Sequence, residues 1–142
     1  MTGGVQAGHK FLWPVRVYSE DTDAGGIVFY ANYLKYFERA RTEWLRSLGI
    51  EQRALRASTG GIFVVSETRL RFHKPARLDD ELIVTAWPLD VGRASMTIQQ
   101  QAYLRRPSEN ILLCEGSIRV GWVDATSYKP VRIPLTILEI LR

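Results

Sequence analysis

Over residues 30–48 the apolar positions Tyr30, Tyr33, Leu34, Phe37, Ala40, Trp44, Leu45 and Leu48 recur at spacings of three and four, with Asn32, Lys35, Glu38, Arg39, Thr42, Glu43 and Arg46 opposite them. This predicts a long amphipathic helix, and Gly49 supplies its C-terminal stop. A weaker helical stretch covers 51–57, and Thr59-Gly60-Gly61 breaks it. The period then changes to two. Alternation predicts strands over 63–72, 81–87, 94–104 and 111–123, separated by turn signals at Lys74-Pro75, Val91-Gly92 and Arg106-Pro107-Ser108-Glu109-Asn110. An earlier strand over 11–18 carries Pro14, which places it at an edge or a bulge. One long helix followed by a strand meander predicts an α+β fold, a five-stranded antiparallel sheet around a central helix.

Composition narrows the class. A chain of 142 residues, 46% hydrophobic and 24% charged, reads as a single globular domain over 1–142, with residues 1–9 expected to be flexible. No apolar run reaches the ~18 residues needed for a membrane span, and the first ten residues lack the apolar stretch of a signal peptide, so a cytoplasmic protein is expected. The single Cys114, within Leu112-Leu113-Cys114-Glu115-Gly116, is expected in the core; His9 and His73 are expected at the surface or in loops. There is no Gly-x-Ser-x-Gly elbow, phosphate loop, dinucleotide glycine pattern or Cys/His cluster, so neither metal nor cofactor is expected. The net charge of +4 is spread among acids, as in Glu38-Arg39-Ala40-Arg41-Thr42-Glu43, with no basic stripe for nucleic acid.

The candidate chemistry lies just before the long helix. The loop Glu20-Asp21-Thr22-Asp23-Ala24-Gly25-Gly26 sets carboxylates and glycines before a helix N-terminus, whose unpaired N–H groups suit an oxygen gaining negative charge. Asp23 is the candidate base or nucleophile; the plainer reading of the same residue is a turn cap. Asp21 and Glu20 are expected to fix the loop. Arg41 falls on the apolar stripe, where a lone guanidinium is costly, so it is expected to pair with Asp21, Asp79 or Asp80 in a structural role, with substrate binding second.

The run from Glu20 to Val28, continued by Ala31-Asn32-Tyr33-Leu34, by Glu38-Arg39-Ala40-Arg41-Thr42-Glu43-Trp44-Leu45 and by Pro75-Ala76-Arg77-Leu78-Asp79-Asp80, resembles the hotdog-fold acyl-CoA thioesterases. The Tol-Pal-cluster-associated branch is the most similar, followed by the 4-hydroxybenzoyl-CoA thioesterases. The resemblance implies a hotdog fold and hydrolysis of an acyl-CoA thioester. It implies Asp23 as the catalytic carboxylate, the backbone N–H of Tyr30 as oxyanion donor, Gly25 and Gly26 as the close approach to the ligand, and Arg93 and Lys129 as coenzyme A phosphate contacts. It also implies a homodimer or homotetramer with active sites between subunits. The breadth of the helix's apolar face points the same way, being more than one half-wrapped sheet would cover. The chain departs from its nearest branch in having Tyr30 where many members carry His, and Ser19 where they carry Tyr. Two alternatives share the fold. A dehydratase usually enlists a histidine, and neither histidine lies in this motif. A non-catalytic module for acyl-CoA or acyl carrier protein, linked to phospholipid metabolism, would not need Asp23.

Overall fold

The computed structural model describes residues 10–142 and the backbone of Val5–Ala7. The expectation for His9 lies outside the described residues, and of the start at 1–9 only the short strand Val5–Ala7 falls within them. Strands β1 (Val5–Ala7) and β2 (Lys10–Arg16) lead to helices α1 (Asn32–Ser47) and α2 (Gln52–Thr59); then come β3 (Gly61–Phe72), β4 (Glu81–Val91), β5 (Ser95–Leu104), β6 (Ile111–Asp124) and α3 (Leu135–Leu141). The strands form one antiparallel sheet in the order β1-β2-β4-β5-β6-β3.

The five expected strands make up the body of this sheet, and β1 adds a short edge against Lys10, Phe11 and Leu12. Beyond Leu12, β2 has β4 on one side and no described strand on the other, and Pro14, which has no N–H to donate, sits in that unpaired stretch. Strand β4 continues past the expected end at Trp87 because a bulge between Pro88 and Asp90 lets its pairing with β5 resume. Helix α3 was not anticipated: seven residues carry too little period, yet Ile137, Leu138 and Leu141 are buried beside β4.

Helix α1 lies against β2 and β4 and buries Tyr33, Tyr36, Phe37, Ala40, Trp44 and Leu45. The buried stripe is rotated relative to the expected one, taking in Tyr36 and leaving Leu34 and Tyr30 exposed. Facing it, β5 alternates Met96, Ile98, Gln100 and Ala102 inward. Each large side chain removed from water in this way contributes ~1.5–3 kcal/mol, so the helix–sheet contact is the main support of the fold. The helix face is therefore covered by the chain's own sheet, and the argument for a partner based on its breadth does not hold. Gly49 ends α1 with φ +83°, its N–H donating to the Arg46 carbonyl.

Three acidic protons are buried in this core. Burial pushes the Tyr33 phenol up to about 12, and burial with the neighbouring Glu115 pushes the Cys114 thiol up to about 12. Burial and the nearby Asp21 carboxylate push the Tyr36 phenol higher still. The folded chain holds these protons to higher pH than the unfolded chain, so their contribution is complete below pH ~9 and is lost as pH rises toward ~12. The thermal midpoint is expected to fall steadily between pH 8.5 and 11, and Tyr33→Phe, which also removes a buried hydroxyl without a hydrogen-bond partner among the described residues, flattens that fall. An unchanged slope in the variant would show that Tyr33 titrates as though exposed.

Candidate active site

The loop before α1 is built by its own side chains. Asp23 Oδ1 accepts the N–H of Gly25 at 2.8 Å and, more weakly, that of Ile27 at 3.4 Å, while the Asp23 carbonyl accepts the Gly26 N–H at 3.0 Å. Gly26 takes φ +78°, which closes the turn without the strain a side chain would bring. One carboxylate oxygen of Asp23 is thus pinned by backbone, and Oδ2 has no hydrogen-bond partner among the described residues. The side chain is exposed.

Asp21 is the buried hub beneath it. Its Oδ2 accepts the Tyr18 N–H at 2.9 Å, and its carbonyl accepts the Phe29 N–H at 3.0 Å and the Asn32 side-chain amide at 2.7 Å. These bonds join the acidic loop to the entry of α1. Helix α1 opens at Asn32 with no side-chain cap, and the N–H groups of Tyr30 and Ala31 have no acceptor among the described residues. The Tyr30 ring is 64% exposed, packing on Phe29 with centroids 4.7 Å apart and edge-on to Phe72 at 6.1 Å. The Pro75 to Asp80 segment folds directly against this loop: Ile27 bridges Arg77, Val28 donates to the Ala76 carbonyl, and Val17 exchanges bonds with Asp79 and Asp80. The two motifs, distant in sequence, form one structure.

Arg93 and Lys129 lie elsewhere. The Arg93 carbonyl accepts the Ile133 N–H, Ala94 accepts from Trp122, and Lys129 accepts from Asp124, which places both cations beside the Gly61–Phe63 end of β3. Tyr30 packs at the other end, on Phe72. Phe72 lies nine residue steps along the strand from Phe63, about 30 Å at ~3.3 Å per step, so in one chain the acidic loop and the cations stand apart.

Arg41 departs from expectation. Instead of a carboxylate it meets Gln100, whose Oε1 accepts from Nη1 at 3.1 Å. Asp21, Asp79 and Asp80 are all at the N-terminal end of α1, engaged with Tyr18, Val17 and Arg77, while Arg41 is more than two turns further along. Gln100 was not singled out from sequence, although a glutamine at an inward position of the Met96, Ile98, Ala102 alternation was a usable signal. His73 is partly exposed, its Nε2 2.7 Å from Glu115 Oε2, and Cys114 is buried. Among the described residues no group of His, Cys, Asp and Glu is placed to hold a metal ion, and no helix is long and apolar enough to cross a membrane.

A sheet curved around one long helix, with an acidic turn leading into the helix N-terminus, defines the hotdog class of thioester-processing folds. The Thioesterase superfamily matches residues 25–109, and the chain belongs to it; Asp23 lies two positions before the matched stretch. The chain is 41% identical over 128 residues to the acyl-CoA thioester hydrolase YbgC of Escherichia coli, covering 90% of this chain and 92% of the relative. Among solved structures it resembles a hypothetical protein from Aquifex aeolicus at 31% identity and TM-score 0.84, covering 93% and 99% of the two chains. A 4-hydroxybenzoyl-CoA thioesterase variant complexed with 4-hydroxybenzoyl-CoA shares the fold at TM-score 0.88 with 17% identity, covering 95% and 100%.

Proposed function

We propose that the chain hydrolyses acyl-CoA thioesters with Asp23 as the reacting carboxylate and the N–H of Tyr30 as oxyanion donor. The reaction class follows from the family and from relatives matched over nine-tenths of the chain: acyl-CoA and water give a free acid and coenzyme A. The observation that carries the residue assignment is the form of the loop: among the described residues, a carboxylate with one oxygen pinned and the other free, next to unpaired N–H groups at a helix entry. As a nucleophile, Oδ2 bonds to the thioester carbon, the carbonyl electron pair moves to oxygen, and its return expels the thiolate; water then cleaves the mixed anhydride and regenerates the carboxylate. As a general base, Asp23 takes a proton from the attacking water and passes it to the departing thiolate. Gly25 and Gly26 keep the turn open to the substrate.

The second part of the proposal is a shared site in a homodimer. Strand β3 is a twelve-residue edge with β6 on one side and no described strand on the other. From Val65 to Arg69 successive residues, which point to opposite faces, are all exposed. Val65, Phe72, Phe29 and Tyr30 leave apolar surface along the same edge. A two-fold axis through the middle of β3 pairs it antiparallel with its copy, so the Phe72 end of one chain meets the Gly61 end of the other. That brings the acidic loop of one subunit to the Arg93 and Lys129 of its partner, where the cations suit the phosphates of coenzyme A.

Kinetics on mixed subunits test this. Arg93→Ala and Lys129→Ala are expected to raise KM more than they lower kcat, since phosphate contacts form about equally in ground and transition states, and to do so less at high salt. Refolding Arg93→Ala together with Asp23→Asn then yields heterodimers with one intact composite site, and a component with wild-type KM appears. If the mixture keeps only the raised KM, the cations and Asp23 belong to the same chain and the shared site is wrong.

A further inference from the structure

Between α1 and strands β3, β5 and β6 lies a cavity of about 220 Å³, walled by Leu45, Phe63, Met96, Ile98 and Val120. That volume is well above the ~10–15 Å³ needed to admit a single water-sized group. Arg41 and Glu38, one turn apart on α1, also line it.

The guanidinium is held in an unusual way. Gln100 is fully buried, and its side-chain nitrogen donates to the Phe37 carbonyl at 3.0 Å and the Thr85 carbonyl at 3.2 Å. Both amide hydrogens are therefore engaged, which turns Oε1 toward Arg41. That single acceptor anchors the guanidinium, and no carboxylate lies within ion-pair reach of it among the described residues. Burial lowers the Arg41 pKa and the neighbouring Glu38 charge partly restores it, so the cation is one that a further anion would stabilise. A rigid anchor on one side and unused donors facing a cavity of mixed lining on the other, where Thr42 and Gln52 add polar groups to the apolar wall, form a site for an oxygen-bearing group.

We propose that this cavity receives the far end of the acyl group and that Arg41 selects acyl chains ending in a carboxylate over chains of equal length ending in a methyl group. The placement rests on the shared-site reading above: in the antiparallel pairing of β3 edges, the Phe63 rim of the cavity meets the partner's Phe72 end, so each cavity serves the Asp23 of the opposite subunit. Glu38, exposed beside Arg41, opposes a second negative charge and limits the preference.

The test compares kcat/KM for glutaryl-CoA against pentanoyl-CoA and adipyl-CoA against hexanoyl-CoA, each ratio being taken within one preparation so that partial unfolding cancels. The wild type is expected to favour the carboxylate-ended member by at least ~10-fold, the lower end for a hydrogen bond to a charged group. Arg41→Met and Arg41→Gln, the second of which keeps a polar contact to Gln100, are expected to abolish the preference, and Glu38→Gln to increase it. A wild-type ratio at or below one, or a ratio that survives both Arg41 substitutions, overturns the assignment. Co-refolded Asp23→Asn and Arg41→Met subunits separate this from the shared-site reading, because the only active Asp23 in the heterodimer then belongs to the chain lacking Arg41. Recovery of the carboxylate preference supports a cavity that serves the partner. Loss of it in the mixture, with the ratio intact in wild type, places the cavity in the site of its own chain and overturns the cross-subunit arrangement.

Discussion

Asp23→Asn is expected to lower kcat by at least ~10²-fold while leaving the melting temperature near that of the wild type. The structure makes the substitution discriminating. Asparagine keeps an Oδ1 to accept the Gly25 and Ile27 N–H groups, so the turn persists, while the amide at the other position can neither attack a thioester nor take a proton from water. A residue that only closes the turn would tolerate the change. Asp21→Asn is the informative companion, because that carboxylate is buried and accepts the Tyr18 N–H; its effect is expected on the melt first and on turnover through the loop. The measurement is steady-state turnover of one good acyl-CoA alongside thermal melts of the three proteins. Normal turnover in Asp23→Asn with an inactive but folded Asp21→Asn would transfer the role to Asp21. Normal turnover in both would remove the carboxylate mechanism.

Gly116→Ala is expected to cost more than ~4 kcal/mol, a large part of the ~5–15 kcal/mol available to a domain of this kind. Gly116 pairs with Leu70 of β3 and Gln100 of β5, and a Cβ there would overlap the Arg69 carbonyl oxygen and stand 2.6 Å from Leu70 Cδ2. The leucine can turn aside; the carbonyl is backbone and moves only if β3 and β6 separate. Gly121, on the same strand, has nothing nearer than 4.0 Å to an added Cβ, so Gly121→Ala serves as the control and is expected to melt near the wild type. Denaturant unfolding of the two variants measures the difference. Equal midpoints would mean that β3 does not approach β6 as described, and the edge offered to a second subunit would have to be redrawn.

The elements themselves were legible because each rests on local pattern. The three-and-four spacing of residues 30–48 and the alternation of 94–104 reflect faces that must be buried, and neither needs a distant residue to be read. The turn chemistry of Asp23 and Gly26 is local as well, and the resemblance to hotdog thioesterases lay in contiguous motifs. What needed tertiary structure was everything set by register and by which end of the sheet a loop occupies. Sequence placed Arg41 on an apolar stripe and assigned it an aspartate, because charge balance is indifferent to distance; the helix instead carries it to a glutamine on the facing strand. It named Arg93, Lys129 and Asp23 as parts of one site between subunits; that the cations lie at the Gly61 end of β3 and the acidic loop at the Phe72 end is set only by the strand pairings. It traced a surplus of apolar surface to α1, which the sheet covers, while the uncovered surface lies along β3 and the Phe29–Tyr30 turn. A hydrophobic period states that a face is buried and not what buries it; that is decided only when the long-range strand pairings bring particular faces and edges together.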